Sequence, residues 1–463
     1  MARASGAGSP PIVAVVGRPN VGKSTLFNRY AGAPRALVAN RPGITRDRIA
    51  AEIEVGARRV LIVDTAGLDP EAASGTARVV QEQARAAVAQ ADAILFVVDG
   101  QAGWSPEDAE IANELRRTAK PVAVAVNKID APSHESRLLD FYRLGLEPLA
   151  AVSAEHGRGA WDLLETLCEA LPEAPESGAE AAGDAIRVAL VGRPNAGKSS
   201  LMNRLVGEER VAVSEEPGTT RDAVDVLVAR DGRRFLFVDT AGLRRPGRRG
   251  REVERGSAVM TLRSLARAHV ALVLFDAASG ITDQDIRVLG LARERGCAVG
   301  LLLNKWDLVA GATDREKGRI ADELERRLRA FGEHPVLRIS ALTGKGVARV
   351  WPMVAELAAA ASRRIPTAEL NRWLADCVRR HEPAMAQRGS RRKPVKFFYA
   401  TQTGIHPPRI ALFCSEPEAV KESYLRFLEN RFRDEFGVVG VPIRLQLRPR
   451  RSDSAGVGSP ARR

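Results

Sequence analysis

GRPNVGKS, running from Gly17 to Ser24, decides how this chain is read. It matches GxxxxGK[ST]. In that pattern the glycines let backbone N–H groups turn inward around phosphate oxygens, the lysine reaches the β- and γ-phosphates and the hydroxyl ligates Mg²⁺. The longer stretch VVGRPNVGKSTLFNR, Val15 to Arg29, returns as LVGRPNAGKSSLMNR, Leu190 to Arg204. Gly192, Gly197, Lys198, Ser199 and Ser200 therefore repeat Gly17, Gly22, Lys23, Ser24 and Thr25. Each copy follows an apolar run and precedes a helical pattern, the context that the phosphate-binding reading requires.

The repetition continues down the chain. PGITRD at Pro42 returns as PGTTRD at Pro217, VDTAGL at Val63 returns at Val238, and NKID at Asn127 returns as NKWD at Asn304. The Ser153-Ala154 pair returns as Ser340-Ala341. The spacing between copies is 175 residues for the first three blocks, 177 for the fourth and 187 for the last. Two domains with the same chain order, the second carrying a late insertion, account for this.

Each motif has a chemical task. Asp64 and Asp239 hold Mg²⁺ through water, and the amides of Gly67 and Gly242 sense the γ-phosphate. Thr45 and Thr220 lie between P-loop and DTAG, where a threonine can close over the magnesium; a plain turn is the competing reading. Asp130 and Asp307 accept hydrogen bonds from guanine N1–H and N2–H₂, a pair adenine lacks, so the chain selects GTP over ATP. Asn127 and Asn304 brace that loop beside Lys128 and Lys305, and Ser153-Ala154 and Ser340-Ala341 offer a backbone N–H to guanine O6. Lys23, Thr45, Lys198 and Thr220 form the candidate catalytic set. Ras-like enzymes orient the attacking water with a glutamine after the DxxG glycine. Here Leu68 and Leu243 stand there, so either another group serves or intrinsic hydrolysis is slow.

Around the motifs, short apolar runs alternate with amphipathic helical stretches. The runs are Ile12–Val16, Val60–Val63, Ala93–Val98 and Val122–Val126, then Arg187–Val191, Phe235–Val238, Val270–Phe275 and Ala298–Leu303. Continuous apolarity suits strands buried on both faces of a mostly parallel sheet. The expected architecture is α/β: two tandem P-loop GTPase domains, at 11–171 and 185–362, joined by a flexible acidic linker at 172–184. A basic α+β domain follows at 363–448, in the order helix Thr367–Arg380, strands Val395–Thr401 and Arg409–Cys414, helix Pro417–Phe436 and strand Pro442–Leu447. Residues 449–463 read as a disordered tail.

Composition bounds the rest. The 463 residues are 45% hydrophobic and 27% charged, as in ordinary soluble proteins. No apolar run is long enough to span a membrane, and no leader segment is evident, so a cytoplasmic protein is expected. Cys168, Cys297, Cys377 and Cys414 form no CxxC pair and read as buried thiols; the 6 histidines show no ligand spacing. The net charge is +13, and from Arg363 onward 21 basic residues stand against 10 acidic ones. That asymmetry points to a polyanionic partner. Two clusters are candidate RNA contacts: Arg244, Arg245, Arg248, Arg249 and Arg251 after the second DTAG, and Arg391-Arg392-Lys393 in the tail. Solvated loops are the alternative for both.

With these residues in hand, nearly the whole chain, from Ile12 to about Arg448, resembles the EngA/Der family of bacterial GTPases. The tandem P-loops are the most specific mark. The tail resembles the family's KH-like domain through FFYATQTGIHPPRIALF, Phe397 to Phe413, and SYLRFLENRFRDEFGVVGVPIR, Ser423 to Arg444. The resemblance implies a nucleotide-gated role in maturation of the large ribosomal subunit, contact with rRNA, a ribosome-associated cytoplasmic location and, for the isolated protein, a monomer. It also implies potassium-stimulated hydrolysis, with Asn20 and Asn195 as K⁺ ligands, an answer to the missing glutamine. A turn former in a tight loop is the other reading of those asparagines. Three departures are visible: DTAG rather than DTGG in the first domain, Ala196 where valine is usual, and no GxxG loop in the tail. The last weakens sequence-specific clamping of single strands there and favours docking onto folded rRNA or between domains. A GTP-gated scaffold with one silent site is a rival reading. A tRNA-modification GTPase is another, opposed by the lack of a further catalytic domain.

Overall fold

The computed structural model describes residues 10–33, 50–56, 58–65, 88–171, 184–207, 225–239, 258–309, 311, 313–328, 331–383, 385–388 and 391–449. Thr45, Gly67, Leu68, Thr220, Gly242, Leu243 and the cluster from Arg244 to Arg251 lie outside them, as does most of the 172–184 linker and of the 449–463 tail. For Arg391, Arg392 and Lys393 the described part is the backbone.

The first sheet follows from the apolar runs. Its strands are β1 (Ile12–Val16), β2 (Ala50–Val55), β3 (Arg58–Asp64), β4 (Ala93–Asp99), β5 (Val122–Asn127) and β6 (Leu149–Ala151). They lie in the order β2-β3-β1-β4-β5-β6. Pairing is parallel except between β2 and β3, which run antiparallel. Every residue of β1 and β4 is buried, as expected of strands covered on both faces. Helices Lys23–Ala31 and Ala160–Glu169 press Leu26, Phe27, Tyr30, Leu163, Leu164 and Leu167 into the core. Each such side chain removed from water contributes roughly 1.5–3 kcal/mol before the cost of ordering it.

The second sheet repeats this plan with β7 (Ile186–Gly192), β8 (Val226–Arg230), β9 (Arg233–Phe237), β10 (Val270–Asp276), β11 (Ala298–Asn304) and β12 (Val336–Arg338). Its order, β12-β11-β10-β7-β9-β8, is the order of the first sheet written from the other edge. The edge strand β2 lies outside the apolar runs of the sequence, with Glu52 and Glu54 breaking its apolar character. By contrast, β8 is a short apolar run, Val226 to Ala229, closed by Arg230.

The C-terminal region has the expected α-β-β-α-β order: helix Thr367–Arg380, β15 (Phe397–Gly404), β16 (Arg409–Cys414), helix Glu422–Phe436 and β17 (Arg444–Pro449). An unforeseen hairpin of β13 (Met385–Arg388) and β14 (Arg391–Pro394) precedes β15. Its polar sequence has no apolar alternation that would announce strands. β16 pairs antiparallel with β15 and parallel with β17. Trp373 and Phe432 meet edge to face, ring centroids 5.4 Å apart, where the two helices pack together over the buried Ala400, Ile410 and Leu412.

This small domain is bound to the domain of the second sheet by hydrogen bonds. Val299 N donates to Gly440 O at 2.7 Å and Gly440 N donates to Glu333 O at 3.1 Å. His406 N donates to Ala361 O at 3.2 Å, and the Arg444 guanidinium reaches Glu294 O. His269 and His406 stack with ring centroids 4.4 Å apart. Burial, His406 and Arg187 push the His269 pKa down to about 4, and burial lowers that of His406 as well. All four cysteines are buried thiols. Among the described residues no helix is long and apolar enough to cross a membrane.

Candidate functional site

The phosphate loop is shaped by backbone conformation. Gly17 has φ 150° and Gly22 φ 96°, with Gly192 and Gly197 at 152° and 96°. A Cβ on Gly17 would stand 2.2 Å from Val97 O, and one on Gly22 would stand 2.2 Å from Asn127 Nδ2. Only glycine lets the loop pass this close to β4 and to the NKID asparagine. Helix Lys23–Ala31 then starts without a side-chain cap, leaving the amides of its first turn for an anion.

Lys23 is 7% exposed and its Nζ donates to Arg18 O at 2.7 Å; Lys198 donates to Gly192 O at 2.8 Å and to Arg193 O at 2.9 Å. Burial lowers the Lys23 pKa, partly offset by the carboxylate of Asp64. Each ammonium rests on the rim of its own loop, the place from which it can turn to a phosphate.

Ser24 Oγ donates to Asp64 Oδ2 at 2.6 Å. A hydroxyl and a carboxylate brought together beside a phosphate cradle form an oxygen donor set suited to Mg²⁺. Asp239 is placed differently: its Oδ2 accepts from Ser264 Oγ at 3.1 Å, and burial raises its pKa. Asn20 and Asn195 are exposed, at φ 64° and 62°, in the left-handed region that asparagine tolerates. Neither side chain has a hydrogen-bond partner among the described residues. The turn-former reading therefore has a physical basis, and the amide oxygens are still available to a cation.

The base-reading loops are braced from three sides. Asn127 Nδ2 donates to Val21 O at 2.8 Å and Asn127 Oδ1 accepts from Ala154 N at 2.9 Å; Asn304 makes the same bonds to Ala196 O and Ala341 N at 2.8 and 2.9 Å. One asparagine thus ties the phosphate loop, the NKxD loop and the Ser-Ala turn. Lys128 Nζ meets Asp99 Oδ2 at 2.5 Å and Lys305 Nζ meets Asp276 Oδ2 at 2.8 Å. Burial pushes both carboxyls up, but these lysines and nearby donors outweigh it and hold them below the usual range. In the first loop Asp130 Oδ1 accepts from Ser153 Oγ at 2.6 Å. In the second, Asp307 Oδ1 is buried without a partner. An orphaned buried carboxylate oxygen is costly unless a ligand's N–H completes it, which fits guanine.

Several residues that support the site were not singled out in the sequence. Asp99 and Asp276 seat the NKxD lysines, and the guanidinium of Arg29 bonds Ala154 O and Glu155 O. Arg18 and Arg193, inside the loops, pair with Asp108 and Asp285. Their near-constant spacing between the two copies was the signal that could have found them.

Comparison with known proteins identifies the repeated domain and the C-terminal one. A family model described as a 50S ribosome-binding GTPase matches residues 12–128 and again 187–305. One described as the KH-domain-like C-terminal domain of EngA bacterial GTPase enzymes matches residues 364–448. The chain is 46% identical over 441 residues to GTPase Der of Syntrophobacter fumaroxidans, covering 95% of this chain and 98% of that one. It is 46% identical over 448 residues to GTPase Der of Symbiobacterium thermophilum, covering 96% and 94%. Among solved structures, Era in complex with MgGDPNP and nucleotides 1506–1542 of 16S ribosomal RNA matches at 21% identity, over 57% of this chain and 93% of that one, with a TM-score of 0.30.

Proposed function

We propose that this chain, which belongs to the GTPase Der (EngA) family and is a GTP-hydrolysing enzyme, works as a nucleotide-gated factor in assembly of the large ribosomal subunit. The observation that carries the gating is the double use of β11. Its last residue, Asn304, braces the base-reading loop, while Val299 near its start is hydrogen-bonded to Gly440 of the basic domain. The domain with the charge excess is thus fastened to the strand that carries a nucleotide loop.

In the mechanism, Lys23 and Lys198 turn from their loop carbonyls to the β- and γ-phosphates. Asp130 and Asp307 read guanine, and Ser153-Ala154 and Ser340-Ala341 close over its O6 edge. Ser24, Thr45 and Asp64 would hold Mg²⁺ in the first site, and Ser199, Thr220 and Asp239 in the second; Asn20 and Asn195 would hold K⁺. When bound, these cations supply positive charge to the phosphoryl group in the transition state. Thr25, Ser200, Lys128, Lys305 and the glycines Gly17, Gly22, Gly67, Gly192, Gly197 and Gly242 complete the two sites. Arg244, Arg245, Arg248, Arg249, Arg391, Arg392 and Lys393 would contact rRNA phosphates, in a monomer acting in the cytoplasm on ribosomal precursors.

The test is sedimentation of the purified protein with large ribosomal subunits, with a GTP analogue, with GDP and without nucleotide, at several salt concentrations. Co-sedimentation that needs the triphosphate and weakens with salt is the expected result. Absence of association in every state, with GTP still bound, would remove the ribosomal assignment. A second reading, in which the second site binds GTP but scarcely turns over, is favoured by the hold of Ser264 on Asp239.

A further inference from the structure

Outside the residues so far given a task, one arrangement occurs twice. Arg18 Nε stands 3.2 Å from Asp108 Oδ1, and Arg193 Nε stands 3.6 Å from Asp285 Oδ2. Both carboxylates are 0% exposed, whereas the arginine side chains keep 22% and 17% of their surface. The arginines are the second residues of the two phosphate loops. The aspartates belong to the first turns of helices Pro106–Arg116 and Asp283–Glu294.

Each aspartate is fixed before it meets its arginine. Asp108 Oδ2 accepts from Ser105 Oγ at 3.0 Å, and Ser105 Oγ accepts from Asp108 N at 3.2 Å. Asp285 Oδ2 accepts from Thr282 N at 2.9 Å and Thr282 Oγ1 at 2.8 Å, completing a reciprocal cap. The first bonds of the cap leave Asp108 Oδ1 turned toward the loop. On the loop side, the carbonyls of Arg18 and Arg193 receive the ammonium groups of Lys23 and Lys198. Proline and asparagine follow each arginine, the asparagine in a left-handed turn. A buried carboxylate, an arginine and the rest of a phosphate loop are therefore linked in series in both domains. A cap alone requires no arginine, and serine or threonine already supplies its side chain.

We propose that Asp108 and Asp285 are positioning residues for GTP hydrolysis: through Arg18 and Arg193 they fix the outer arm of each phosphate loop, and with it the lysine that meets the β- and γ-phosphates. They act through the arginine and touch neither nucleotide nor metal. Loss of this restraint leaves guanine recognition in place and displaces the phosphates, a class of error to which turnover is steeply sensitive.

The experiment uses the full chain with Lys198→Ala, so that turnover reports the first site. Asp108→Asn keeps the size of the side chain and its place in the cap but removes the charge that holds Arg18. The expected result is a kcat about tenfold lower with KM changed less than about twofold. Arg18→Gln should match it, Arg18→Lys should recover most of the loss, and Asp108→Asn with Arg18→Gln should be no slower than either alone. Unchanged kcat in Asp108→Asn, or single losses that multiply in the double variant, would overturn the proposal. If Asp108→Asn does not fold, the Arg18 pair decides: equal turnover of the Lys and Gln variants overturns it. Asp285→Asn in a Lys23→Ala chain repeats the test at the second site. The inference rests on the assignment of the two GTP sites. That assignment fails separately, if the chain with both lysines replaced still hydrolyses GTP.

Discussion

The two nucleotide sites are alike where phosphate lies and different where the base lies. In the phosphate loops the paired φ values agree within 2°, and the two asparagine braces have the same bond lengths. Around the base, Asp130 is held by Ser153 while Asp307 keeps an orphaned oxygen. Ile129 is fully buried, whereas its counterpart Trp306 lies 4.8 Å from the Arg338 guanidinium. Ala131 and Glu155 of the first rim become Leu308 and Leu342, 67% and 76% exposed. A loop that must present successive amides to phosphate has few solutions, since its glycines and left-handed turns are set by steric contact. The rim of a base pocket tolerates many side chains, and there the two domains can acquire different affinities.

The largest effect should test the shared half. Lys23→Ala and Lys198→Ala should each lower turnover of their own site about 100-fold or more, measured as single-turnover GTP hydrolysis. Full activity after one of the two replacements would mean that the sites are alike in shape only.

Base recognition comes next. Asp130→Asn and Asp307→Asn should each raise the GTP dissociation constant of the affected site about 30-fold, and xanthosine triphosphate should bind in partial compensation, since an amide can donate where the carboxylate accepted. Equilibrium titration with fluorescent nucleotides reads both. A smaller and unequal effect follows from the serines. Ser153→Ala should weaken GTP binding at the first site about fivefold by freeing Asp130, and Ser340→Ala should leave the second site within about twofold. Equal losses would erase the difference at the rim.

The smallest effect separates the regions by pH. The half-buried imidazoles of His269 and His334, both with pKa values down at about 4, belong to the second domain. Below pH about 6.5 the unfolded chain takes up protons that the folded one refuses until about 4, so stability falls as pH drops through that window and is flat above it. Scanning calorimetry should show the transition of the second domain falling by about 5 °C from pH 7 to 5. His269→Asn should reduce that fall to about half, leaving the share of His334. A fall of the same size in the variant would place its cause elsewhere.

How much could be read in advance varies along the chain. Buried parallel strands such as Ala93–Asp99 and Ala298–Asn304 stand out as unbroken apolar runs, and their motifs could be placed before any coordinates. The edge strand Ala50–Val55 and the hairpin at Met385–Pro394 could not, because charged residues interrupt the apolar pattern. Site residues with distinctive local patterns were legible. Asp99, Asp108, Asp276 and Asp285 have no distinctive local pattern, since an aspartate at a strand end or in a helix cap is common, and only their repetition at near-constant spacing marks them.

By itself the sequence determined that there are two phosphate-binding domains, that guanine is the base and that positive charge gathers at the C-terminal end. Repetition at near-constant spacing and the chemistry of single residue types suffice for those conclusions. Only the tertiary structure decided that Asn127 and Asn304 join three loops, that Arg18 leans on Asp108, and that Gly440 bonds to Val299. Such pairings join segments far apart in the chain, and they arise only when folding brings those segments together.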